Sequence, residues 1–139
     1  MAQYNKPVPM PVHEDKEFWA GAKRHELLLK KCGKCGAWVW YTDSVCQECQ
    51  AMKNFEWVKA SGKGTVWSYS VVYRSFSRGW APEELPYISV IVDLEEGTRF
   101  CANLRECKPE DVKIGMPVEI FFDDVTEHVT LPQFRSLKT

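Results

Sequence analysis

Cys32-Gly33-Lys34-Cys35-Gly36 and, ten residues further on, Cys46-Gln47-Glu48-Cys49 decide how the first half of this 139-residue chain folds. A C-x2-C turn aims two thiolates at one ion, and two such turns on facing hairpins complete a tetrahedron. Gly33 and Gly36 give each knuckle the backbone freedom that a tight turn needs. The spacing predicts a metal site of Cys32, Cys35, Cys46 and Cys49 inside a ribbon spanning residues 30–59. Four thiolates close the coordination sphere, so the expected role is structural, with no position for water or substrate. Zn2+ is the expected ion; iron, held as in rubredoxin, is the alternative that the same donors accept. A thioredoxin-type redox pair fits poorly, because that chemistry places one C-x-x-C beside a βαβ unit.

Outward from the ribbon toward the N-terminus, residues 1–29 read as an arm and a helix. Pro7, Pro9 and Pro11 keep the first dozen residues extended. Acidic Glu14, Asp15 and Glu17 open a helix over 14–25 that Lys23 and Arg24 close, with Phe18, Trp19 and Ala22 on its apolar face. Leu27-Leu28-Leu29 then reads as a short strand entering Cys32. Toward the C-terminus, Ala60-Ser61-Gly62-Lys63-Gly64 forms a small-residue joint, and residues 60–139 read as β. Strands are expected over 66–73, 87–94, 98–104, 116–122 and 125–131, with one helical turn at Pro109. Five short strands with one brief helical insertion suggest an OB-fold barrel with a C-terminal tail. The fold class is mainly β: helical arm, rubredoxin-like zinc ribbon, then barrel.

Charge narrows the function. The formal net charge is −1, yet residues 1–64 carry 10 basic and 7 acidic side chains and residues 65–139 carry 8 and 12. An acidic barrel argues against a module that grips single-stranded nucleic acid, although ribbons and OB barrels both commonly do so. Lys30, Lys31 and Lys34 read as counter-charge for the thiolates, or as a ligand patch. The chain has no apolar run near the length of a membrane span and no apolar leader after Met1, so a cytoplasmic location is expected.

Other side chains carry less chemistry. Cys101 reads as a small buried strand residue, and Cys107 lies in a loop. His13, His25 and His128 are scattered, and no nucleophile–base pair stands out. Trp19, Trp38, Trp40 and Trp57 can supply the core that a ribbon lacks, or anchor a partner. Between the first two barrel strands, Tyr73, Arg74, Phe76, Arg78 and Trp80 interleave cations with rings. Such a loop either caps the barrel mouth or stacks on a nucleotide-containing ligand or a protein partner.

Taken in order, these residues resemble the acyl-CoA-associated zinc-ribbon/OB-fold family over roughly 14–135. The resemblance rests on Phe18-Trp19, Leu27-Leu28-Leu29-Lys30-Lys31-Cys32 and the two cysteine pairs. It continues through Ser61-Gly62-Lys63-Gly64, Leu85-Pro86-Tyr87, Ile114-Gly115-Met116-Pro117-Val118-Glu119 and Thr130-Leu131-Pro132-Gln133-Phe134-Arg135. Trp40-Tyr41-Thr42 departs from the proline-rich stretch of many relatives. The resemblance implies a companion subunit of a thiolase-fold protein, in a hetero-oligomer that performs thiolase, aldolase or synthase chemistry. The partner would supply the catalytic residues, while this chain aids assembly and helps enclose an acyl-CoA ester as a shared ligand. A strand-binding module is the alternative, and rubredoxin-like electron transfer a remote third reading.

Overall fold

The computed structural model describes residues 4–75 and 77–137, which form two compact units. One runs Met10–Ser61; the other begins at Gly62 and includes the arm up to Pro9. The segment read as 1–29 is thus divided, its arm grouping with the barrel and its helix with the ribbon.

In the first unit, helix α1 spans Lys16–Lys23, shorter at both ends than the charge pattern suggests. At its start the Asp15 side chain accepts from the Val12 amide at 2.8 Å. At its end His25 takes a left-handed φ of 62°, and the Glu26 amide returns to the Gly21 carbonyl at 2.8 Å. That reversal satisfies helix carbonyls while turning the chain toward the sheet. Phe18 and Ala22 are buried, and Phe18 stacks on Tyr41 with centroids 3.9 Å apart. The sheet has order β2-β1-β3, with β1 Leu28–Cys32, β2 Trp38–Val39 and β3 Phe55–Lys59. Cys32, Val39 and Cys46 form a small buried cluster with Ala37, Cys49, Ala51 and Phe55 packed against it, and Leu27, Leu29 and Ala60 are buried in the same unit. The cluster around the knuckles is small, so an ion held by the thiols would add to the stability of that part of the unit.

The second unit is a closed barrel in the order β4-β5-β6-β8-β7. Its strands are β4 Lys63–Val72, β5 Tyr87–Leu94, β6 Arg99–Arg105, β7 Pro117–Asp124 and β8 Thr130–Ser136. Strict alternation on β5 sends Ile88, Val90, Val92 and Leu94 inward, where Val66, Phe100, Leu104, Val118 and Phe134 meet them. Burying each such side chain is worth about 1.5–3 kcal/mol. The same alternation turns Cys101 outward: it is exposed, correcting the expectation of a buried thiol. The last strand also starts later than its sequence suggests. Val125–Val129 is rich in β-branched residues, but the Thr126 hydroxyl accepts from the amides of His128 and Val129 and closes a turn. Pro117 opens β7, and Pro132 pairs across to Phe122 just before β6 joins the other side of β8 at Phe134. Both are positions where a missing N–H costs the ladder little.

Candidate metal centre and barrel cleft

The cysteine cluster is built by local geometry. β1 ends on Cys32, whose amide donates to the Ala37 carbonyl at 2.8 Å and so folds the first knuckle back on itself. The second knuckle does the same, the Cys46 amide meeting the Ala51 carbonyl at 2.9 Å. Gly33 passes against the Asn54 carbonyl oxygen, which a Cβ there would approach to 2.4 Å. The four Sγ atoms lie within 4.8 Å of one another. Cys32–Cys49 and Cys35–Cys46, each joining one knuckle to the other, are 3.6 Å apart. A tetrahedron with bonds of about 2.3 Å needs sulfurs about 3.8 Å apart, so the donor set fits a thiolate-bound ion.

The thiols are not equivalent. The Cys35 amide, followed by that of Lys34, donates to the Cys32 sulfur, outweighs burial and brings that thiol down to about 7. At Cys35 the Ala37 amide favours the thiolate. Burial and the neighbouring sulfurs of Cys46, Cys49 and Cys32 prevail, and the thiol is pushed up to about 12. Cys32, Cys35, Cys46 and Cys49 would hold a dication, whose charge would stabilise all four as thiolates.

The lysines beside the cluster are engaged with aromatic rings. Cross-strand register sets Lys30 opposite Trp57 and Lys31 opposite Trp38. The Lys30 ammonium sits 5.2 Å from the Trp57 ring and 5.3 Å from Phe55, and donates to the Asp43 carbonyl at 2.7 Å. Lys31 lies 5.1 Å from the Trp38 ring, and Lys34 is exposed. Trp38 and Trp57 are half-buried, serving as platforms for cations as much as core.

The arginine–aromatic loop is placed differently from a single cluster. Tyr73, Arg74 and Arg78 are exposed, and Phe76 lies outside the described residues. Trp80 turns back onto the barrel, stacked on Tyr87 at 4.4 Å, with its indole N–H donating to the Ser77 hydroxyl at 2.9 Å. It walls a cleft of about 280 Å³ that also holds Tyr4, Lys6, Arg105 and Asp123, and neither Arg74 nor Arg78 lines it. Arg105 pairs with Asp123 at 3.1 Å. The Tyr4 hydroxyl is pushed up by burial and then by Asp123 and Glu84. Residues so distant in sequence gather only when the barrel closes, and no local pattern marks them.

Residues 19–52 match the family model described as the ChsH2 rubredoxin-like zinc ribbon domain, and residues 57–123 the ChsH2 C-terminal OB-fold domain. A DUF35 domain-containing scaffold protein of Methanocaldococcus jannaschii is 38% identical over 108 residues, covering 76% of this chain and 73% of that protein. The chain belongs to the DUF35 family. Another DUF35 scaffold protein, from Methanothermobacter thermautotrophicus, is 35% identical over 76% of this chain and 77% of its own length. A Thermomonospora curvata protein described as "Probable enoyl-CoA hydratase alpha subunit" is 34% identical across 94% of this DUF35 chain. The chain spans only 40% of that protein's length. The solved "Ltp2-ChsH2(DUF35) aldolase" chain overlays with a TM-score of 0.80 at 29% identity, covering 92% of this chain and 98% of that one. Among the described residues no helix is long and apolar enough to cross a membrane.

Proposed function

We propose that this DUF35 chain is a non-catalytic, zinc-binding accessory subunit of an acyl-CoA enzyme whose thiolase-fold partner carries the catalytic residues. The carrying observation is the overlay on nearly the whole of the Ltp2-ChsH2(DUF35) aldolase chain. The thiol cluster supports the reading, since Cys32, Cys35, Cys46 and Cys49 would hold zinc with no open position for substrate. So does the surface: Trp67, Tyr69 and Tyr73, on β4 and just after it, remain exposed, as aromatic anchors for a partner would be. We assign Arg74 and Arg78 to the phosphates of a shared acyl-CoA ester, because both side chains are exposed and the planar guanidinium fork suits phosphate.

The test is co-expression with a thiolase-fold partner. A stable complex is expected, with thiolysis, aldol cleavage or condensation rising at least about tenfold over the partner alone. Arg74→Ala and Arg78→Ala should raise KM for the acyl-CoA while kcat holds. Equal activity of the partner with and without this chain would end the proposal. A second reading, a hydratase partner, is favoured by the 34% identity to the Thermomonospora curvata alpha subunit. Co-expression with a hydratase subunit instead, giving loss of enoyl-CoA absorbance without any carbon–carbon or thioester cleavage, would select it.

A further inference from the structure

Lys6 and Glu84 lie 78 positions apart in sequence and form an ion pair in the barrel cleft. The Lys6 ammonium also sits 4.2 Å from the Trp80 ring centroid and 5.4 Å from that of Tyr4, and its side chain keeps only 19% exposure. Trp80 is braced to receive it by the Tyr87 stack and the Ser77 hydroxyl. The main chain is fitted as well. A Cβ at Gly79 would stand 2.2 Å from the Asn5 carbonyl oxygen, so only glycine lets the arm's backbone pass there. Leaving Lys6 aside, the cleft carries Glu84, Glu106 and Asp123 against Arg105. Ring faces beside an excess of carboxylate accept an ammonium and repel phosphate.

The geometry points to a lysine-accepting groove on the barrel unit, filled in cis by Tyr4–Lys6 and open, once the arm lifts, to an extended lysine-bearing segment of a partner protein. The arm shows what such a segment needs: an ammonium for the Trp80–Glu84 corner, and an extended backbone slim enough to slide past Gly79. A tethered arm presents itself at an effective concentration of about millimolar, so a trans segment succeeds only when the latch is weakened or other contacts assist it. The arm is then a displaceable strap. This inference stands apart from the acyl-CoA reading, and its test contains neither CoA nor a thiolase-fold protein.

Three full-length variants and two synthetic peptides suffice. Lys6→Ala empties the corner while leaving the barrel strands untouched. A peptide of residues 4–12 should bind this variant about tenfold more tightly than the same peptide carrying alanine for lysine. The wild-type chain should bind neither measurably. Adding Glu84→Gln to the Lys6→Ala chain should remove the preference. In the otherwise native chain, Glu84→Gln should speed hydrogen exchange at residues 4–6 and leave β5 protected. The proposal is overturned if the Lys6→Ala chain binds neither peptide, or both equally, or if Glu84→Gln leaves the arm's exchange unchanged.

Discussion

Lys30 is almost completely buried, at 3% exposure, and keeps its charge there with two aromatic faces and one carbonyl oxygen. Burial lowers its pKa below the ordinary 10.5, against the pull of Asp43, Glu14 and Asp15. The charged form therefore costs the fold below the lowered pKa, and that cost fades as pH rises through it toward 10.5. Lys30→Met keeps the stem but strands the Asp43 carbonyl, and should lower stability by about 1–2 kcal/mol near neutral pH. The gap in favour of the wild type should widen as pH approaches 10.5, because only the wild type gains there. Denaturant midpoints of both chains across that range check the sign; a constant gap would mean that the ammonium is not held as described. Among single residues the ligands were legible, since a C-x2-C turn encodes its geometry within four positions. Lys30 was not: its ring partners come from β3, and the pattern of lysines suggested counter-charge for the thiolates or a ligand patch.

At the scale of elements, β8 is the strand that closes the barrel, pairing antiparallel with β7 along its length but with β6 only at Leu104–Phe134 and Arg105–Arg135. Gln133 extends that short parallel seam with its side chain, its amide oxygen accepting from the Asn103 N–H at 3.0 Å. Gln133→Leu preserves bulk but leaves a half-buried donor unmet, which should cost about 1–3 kcal/mol. Hydrogen exchange at Asn103 should accelerate before that of its neighbours on β5. Phe134→Ala, one residue on, empties a fully buried ring position beside Phe100 and should cost about 3–5 kcal/mol in a urea titration. Alternation made β5 readable to the residue, and the inward parity of Phe100 and Leu104 was present to be used for Cys101 as well. The start of β8 was hidden because β-branched residues favour strands while the Thr126 hydroxyl favours a turn, and the local hydrogen bonds win.

Across the whole molecule, the two units have different sources of stability. The barrel buries apolar side chains from β4 through β8, whereas the unit of residues 10–61 combines buried side chains such as Phe18, Leu27 and Leu29 with the thiol cluster. A four-thiolate zinc site contributes about 10–16 kcal/mol of apparent binding free energy. A strong chelator should therefore strip exchange protection from β1 and β3 while β5 and β7 stay protected. Loss of both in one step would contradict this. Acid should act like the chelator: protons compete with the ion for sulfur, so lowering the pH should release it and unprotect the same strands.

The division of the chain carries one more consequence, and it concerns connectivity. The polypeptide starts its described course in the barrel unit, leaves it after Pro9 and returns at Gly62, so the ribbon is an insertion between the strap and the barrel that receives it. Docking Lys6 against Glu84 closes a loop that contains the entire ribbon. When that insert is unfolded, the loop is a long floppy coil whose closure is entropically opposed; once folded, few free links remain to be ordered. Loading an ion on four sulfurs would thus tighten an arm that none of those sulfurs needs to touch. The strap would hold in the metallated chain and loosen in the stripped one.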